Sequence, residues 1–128
     1  MRAVPRPAVL LALPALLLAA CVAPEDADER SARCTELAAG ISQAGLAGSP
    51  TQQQAQQAAL RLDSQMLQLR DPSIHDAAVS LHFHLHVLDT SLGRGDRAKT
   101  DQALQDTRTD TTNLAKACGM APGDFGLR

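Results

Sequence analysis

Four histidines, His75, His82, His84 and His86, crowd one stretch of the chain together with Asp89. Imidazole is the commonest metal ligand and titrates near neutral pH, so such a cluster is the first place to look for chemistry. On a helix, His75, His82 and His86 fall on one flank at spacings of seven and four. His82 and His86 are then one turn apart, a spacing at which two imidazoles can share a Zn or Cu ion, with Asp89 as third ligand and His75 as a further candidate. Read as a strand, the same stretch aims His82, His84 and His86 to one side, so a metal site survives either local fold. The plainer reading is preferred. Histidine pairs four residues apart arise by chance and often sit at a core margin, and no Glu stands where an HExxH motif would place it.

Other chemistry finds less support. His75 has Asp76 beside it and Ser73 nearby, but neighbours in sequence point in different directions on a helix and make no catalytic triad. No GxxxxGK or GxGxxG loop occurs, and Cys34 and Cys118 lack the CxxC spacing of redox catalysts. Arg94-Gly95-Asp96 spells an integrin-type tripeptide, yet it reads better as a turn leading into a helix capped by Asp96. Enzymatic activity is not expected. Val79, Phe83 and Val87 form a second apolar line on the histidine helix, nearly opposite its core stripe. In a simple bundle that line faces water, which points to a partner-binding or self-association surface. An interaction or structural role therefore leads, ahead of Zn or Cu handling and of a carrier holding a small apolar ligand in a gap of an aromatic-poor core.

The elements that position these residues follow an export signal. Arg2 and Arg6 precede an apolar run from Ala8 to Leu18 that closes in Leu18-Ala19-Ala20-Cys21. The run is shorter than the ~20 apolar residues of a spanning helix. Its ending resembles a bacterial lipobox. The resemblance implies a signal peptide over residues 1–20, lipidation of Cys21 and anchoring to the outer face of the cell membrane. Loss of Arg2 and Arg6 leaves 10 basic residues against 14 acidic ones, a formal charge of −4, which argues against nucleic acid as partner. Residues 21–30 read as a lipidated acidic tether, and residues 31–128 as one helical domain.

With Cys21 committed to lipid, Cys34 and Cys118 remain, and in an oxidising exported compartment they are expected to form a disulfide. Neither has a neighbouring Cys or His at metal-ligand spacing. In the chain-entropy view, closing a loop of this length contributes about 4.5 kcal/mol. That would supplement a Leu, Ala and Val core in which only Phe83 and Phe125 are aromatic.

Helical periodicity appears four times. Cys34, Leu37, Ala38, Ile41 and Ala44 mark the first helix, ended by Gly45 and Gly48. Ser49-Pro50-Thr51-Gln52 reads as cap, first-turn proline and capping-box glutamine of a second, with the stripe Ala55, Ala59, Leu62, Met66 and Leu69, stopped by Asp71-Pro72. Ser73 with Asp76 caps a third, whose stripe is Ile74, Ala78, Leu81, Leu85, Leu88 and Leu92 and whose end is Gly93. Asp96 caps a fourth, with Leu104, Thr107, Thr111, Leu114 and Cys118 inward and Gly119 at its end. Val79 to Val87 also alternates as a strand would, but no partner strand exists, so a helix is expected there. An even number of antiparallel helices returns the chain to its starting end and brings Cys34 to Cys118. The expected fold is an all-α, up-and-down four-helix bundle, standing on the membrane with both termini down.

Taken whole, the lipobox, acidic tether, early Cys34, Gly-Asp-Arg-Ala at 95–98 and Ala-Cys-Gly at 117–119 resemble small helical lipoproteins of actinobacteria, as does the preference for Arg over Lys. This resemblance implies a helical bundle at the cell surface and brings no catalytic residues.

Overall fold

A computed structural model describes residues 26–128. The signal segment, Cys21 and the start of the tether lie outside the described residues. Among the described residues four helices follow one another, α1 (Ala27–Ser42), α2 (Gln52–Met66), α3 (Pro72–Arg94) and α4 (Arg97–Ala117), and a short 3₁₀ turn spans Pro122–Phe125. There is no strand among the described residues, so the ambiguous stretch from Val79 to Val87 is helical. None of these helices is long and apolar enough to cross a membrane.

Cross-helix contacts fix the directions. Gln65 Nε2 donates to the Glu36 carbonyl and Arg61 Nη1 to Gln43 Oε1, so α2 runs back along α1. His82 facing Asp63 reverses α3 against α2, and Ser80 donating to Asp110 reverses α4 against α3. Arg30 Nη2 donates to the Ala117 carbonyl at one end of the α1/α4 pair, while Arg108 reaches the Leu46 and Gly48 carbonyls at the other. Helix α3 packs against α2 and α4, and α1 against α2, α4 and the 3₁₀ turn. Cys34 and Cys118 are disulfide-bonded, Cα to Cα 5.8 Å, joining α1 to the cap of α4.

Local chemistry moves several boundaries. Helix α1 starts at Ala27, inside the expected tether, because the Asp26 carboxylate accepts from the Glu29 amide at 2.7 Å and Asp28 and Glu29 suit a helix N-terminus. Helix α2 is capped by Thr51, not Ser49. Only Thr51 pairs with a glutamine, Gln54, in a reciprocal box, at 3.1 Å and 2.9 Å, and Pro50 is buried ahead of the helix. Helix α2 also ends at Met66, which leaves Leu69 buried in the connection. Asp71, not Ser73, caps α3, accepting from the Ser73 and Ile74 amides and from the Ser73 hydroxyl, with Pro72 at the first helical position. Helix α3 runs through Gly93 and stops at Gly95, whose φ of 65° is the left-handed conformation of a C-terminal glycine. Asp96 and Gly119 flank α4 as expected.

The α3 stripe from Ile74 to Leu88 is fully buried, and Leu92 is partly covered. Helix α4 contributes Thr107, Thr111 and Leu114 as foreseen, plus Ala103, Ala115 and Asp110, while Leu104 and Cys118 are only partly buried. Phe125, absent from every expected stripe, is fully buried. Its 3₁₀ turn contacts α1 and α4 and fills their seam. The chain after Gly119 therefore turns back along α1 and brings Gly126 against Ser42. Ala27 and Ser42 are about 22 Å apart at a helical rise of 1.5 Å per residue, so Gly126 lies at the opposite end of α1 from the start of that helix, and the expected placing of both termini at one end is not met by the described residues.

Candidate functional site

Helix α3 presents three different polar or apolar flanks around its buried stripe. Toward α2, His82, His86 and Asp89 line a cleft of about 240 Å³ together with Ala59, Leu60 and Asp63. His82 is about one-quarter exposed and its Nε2 stands 3.7 Å from Asp63 Oδ1, on the neighbouring helix. The His82 and His86 rings are 5.8 Å apart at their centroids and inclined at 47°. His75 does not join them. It lies two turns away along α3 and faces Asp76 at 3.7 Å. Asp63 is the member of this cleft that the sequence reading did not include, because a contact between helices leaves no trace in local spacing. Among the described residues, no three His, Cys, Asp or Glu side chains already converge as a ligand set.

Toward α4, His84 belongs to a separate network. Its Nδ1 pairs with Asp110 Oδ2, while the Ser80 hydroxyl donates to Asp110 Oδ1 at 3.0 Å. Asp106, one turn before Asp110, places Oδ2 3.9 Å from the other ring nitrogen. The Asp110 side chain is 11% exposed, so its carboxylate needs these partners. A serine, a histidine and an aspartate meet here, but in an order unsuited to nucleophilic catalysis. The carboxylate accepts from both others, and no imidazole accepts the serine proton. The network is an interhelical polar tie. Asp110 gave one signal in sequence, a charged residue beside Thr107, Thr111 and Leu114 on an inward face.

Away from both flanks runs the apolar line. Val79 is 44% exposed, Phe83 62%, and Val87 is half-buried. Phe83 and Val87 form one wall of a cleft of about 320 Å³, which Arg94, Asp96 and Lys99 also line. The α3 backbone keeps the wall straight. Its spacing of four residues repeats the line every turn, and the Ser91 hydroxyl turns inward to the Val87 carbonyl at 2.7 Å instead of breaking the surface. Concave, largely apolar and edged by a few polar groups, this cleft has the make-up of a recognition site. His86 lines both clefts.

No protein-family model, curated protein or solved structure matches the chain.

Proposed function

We propose that this chain is an envelope lipoprotein, anchored through Cys21, that works as a protein-interaction module through Val79, Phe83 and Val87 of α3. The observation that carries the reading is Phe83, a large aromatic side chain left 62% exposed beside an apolar cleft of about 320 Å³. Interface cores are enriched in such aromatics, and an exposed apolar wall of this kind is otherwise a liability in water. The cleft also holds Arg94, Lys99 and Asp96, with Asp96 Oδ2 4.0 Å from Lys99 Nζ, so one excess positive charge is left to meet a carboxylate beside the partner's apolar anchor.

The anchor and the cleft are compatible. From Cys21 to Asp26 an extended chain spans at most ~18 Å, so a lipid on Cys21 keeps the end of the bundle where α1 starts near the bilayer. Helix α3 begins at that end, where its cap Asp71 meets Arg30. Its 23 residues carry Arg94 about 33 Å away. The cleft thus opens on the side remote from the lipid, where another envelope protein can reach it.

Two experiments on the full chain in its membrane test the two halves of the reading. A photo-crosslinking residue at position 83 is expected to trap one discrete protein adduct, and Phe83→Asp to abolish the complex while leaving thermal unfolding unchanged. Adducts that are diffuse, or equally abundant from a probe at the solvent-facing Gln57, would defeat the interaction reading, and a homodimer adduct would assign the surface to a second copy. Metabolic labelling with palmitate is expected to mark the chain and to disappear in Cys21→Ala. Unlabelled wild-type chain would remove the anchor.

A further inference from the structure

We infer that His82 and His86 of α3, with Asp63 of α2, form a seat for an imidazole-preferring divalent metal ion, zinc or copper. The inference stands without the interaction reading, although His86 lines both clefts. It rests on the α2/α3 cleft, where these three groups meet around a space of about 240 Å³.

The distances are close to what a shared ion requires. Two imidazoles bound at ~2.0–2.1 Å to one tetrahedral ion put their ring centroids roughly 5 Å apart, and up to ~5.5 Å if the angle at the metal opens to about 120°. The rings of His82 and His86 stand at 5.8 Å, so a small change of ring torsion brings both to one ion. A nitrogen and a carboxylate oxygen on the same ion lie roughly 3.3 Å apart. His82 Nε2 and Asp63 Oδ1 lie 3.7 Å apart, too long for a hydrogen bond and a few tenths of an ångström beyond a common ligand edge. Asp63 is 68% exposed and is free to make that shift.

The surroundings favour the same use. Helix α3 holds the two histidine backbones one turn apart without further ordering, since the turns on either side are anchored by buried Leu81, Leu85 and Leu88. Asp89 lines the same cleft one turn beyond His86 and adds negative charge near the ion. His84 is committed to Asp110 on the opposite flank, and His75 lies outside the cleft. Nitrogen ligands of this type favour copper over zinc by the general order of divalent affinities, and both over magnesium or calcium. An ion bound here ties α2 to α3 and stabilises the folded chain in proportion to its occupancy.

Calorimetric titration of the full-length chain, purified in detergent with its disulfide intact, tests this against zinc chloride, copper sulfate and magnesium chloride at neutral pH. Saturable one-to-one uptake of zinc and copper but not magnesium is expected, with a rise in unfolding temperature on adding zinc. His82→Ala with His86→Ala should abolish both effects, and Asp63→Asn, which removes the charged oxygen ligand, should weaken binding by roughly tenfold or more, the loss that even an outer-shell carboxylate causes at metal sites. His75→Ala and His84→Ala should bind as wild type. Absence of saturable binding by the wild-type chain overturns the inference, as does binding that survives the double histidine substitution. Full affinity in Asp63→Asn overturns the seat between helices.

Discussion

Gly126 lies against Ser42 so closely that a Cβ built on it would stand 2.9 Å from the Ser42 Cα, and its φ of +84° is a conformation that side-chain-bearing residues rarely adopt. The contact ties the last residues of the chain to the end of α1 and seats the neighbouring Phe125 in the α1/α4 seam. Helix α1 makes few direct approaches to α4, so the returning tail serves as a wedge between them, alongside the disulfide at one end and Arg108 at the other.

The wedge predicts a contrast between the two phenylalanines. Phe125→Ala empties a fully buried site and should cost about 3–5 kcal/mol of unfolding free energy in urea. Phe83→Ala removes a ring that is mostly in water and should change stability by only ~0.5 kcal/mol or less. Equal losses would mean that Phe125 is not the ring that closes the core.

Reduction of Cys34–Cys118 is expected to lower stability by about 2–5 kcal/mol, chiefly by freeing the unfolded chain. The helical circular dichroism of the folded chain should change little, because Arg30 still links α1 to the Ala117 carbonyl and to Asp71. Urea midpoints with and without reductant measure this. A chain that loses its helices on reduction at room temperature would show that the polar ties at this end are weaker than their geometry suggests.

Much of this architecture was legible in the sequence, for reasons that differ by element. The stripe Ile74, Ala78, Leu81, Leu85, Leu88 belongs to one uninterrupted helix, and periodicity alone identified a face that is wholly buried. The disulfide followed from the two cysteines that remain once Cys21 is read as the lipidation site, and from an even number of helices. Caps were harder, because Ser49, Thr51, Asp71 and Ser73 all have side chains fit for the role, and the choice depends on which of them completes a set of hydrogen bonds. Phe125 escaped because a single ring in a Pro-Gly-Asp-Phe turn has no periodicity to announce burial. Of the candidate residues, His82, His86 and Asp89 line one cleft and His75, placed on the same flank by spacing, does not, while Asp63 and Asp110 enter through contacts between helices that no local pattern encodes.

Asp71 predicts a particular acid sensitivity. Its carboxyl is held below the ordinary value of 3.8, first by the Ser73 hydroxyl, then by the Ile74 amide, with Arg30 and the Ser73 amide adding to the effect. A group whose folded pKa lies below its unfolded one stabilises fully above the unfolded value, and that contribution fades as pH falls through 3.8 toward the folded value. Asp71→Asn keeps a capping side chain but cannot titrate, so its deficit relative to wild type in urea should be present at pH 7 and shrink at pH 3. Asp71→Ala should lose about 1 kcal/mol at pH 7 through the missing cap. A wild-type advantage over Asn that persists unchanged into acid would show that the charge of Asp71 contributes nothing.

Asp110 predicts a coupling that single substitutions alone would misstate. Asp110→Ala removes a nearly buried carboxylate and leaves the Ser80 hydroxyl and the His84 ring to find other partners, and a loss of about 1–3 kcal/mol is expected. Ser80→Ala leaves the carboxylate in place with one donor fewer, an uncompensated acceptor that should cost a comparable amount. Because the two share one interaction, the double variant should be less destabilised than the sum of the singles, by ~0.5 kcal/mol or more in a double-mutant cycle. Leu67, 89% exposed at the cap of α2, supplies the control, since Leu67→Ala combined with Asp110→Ala should be additive: Leu67 stands outside the network around Asp110. Additivity of Ser80→Ala with Asp110→Ala would mean that the tie between α3 and α4 is a proximity without energetic consequence, and that packing around Leu81, Leu85 and Leu114 alone holds the two helices in register.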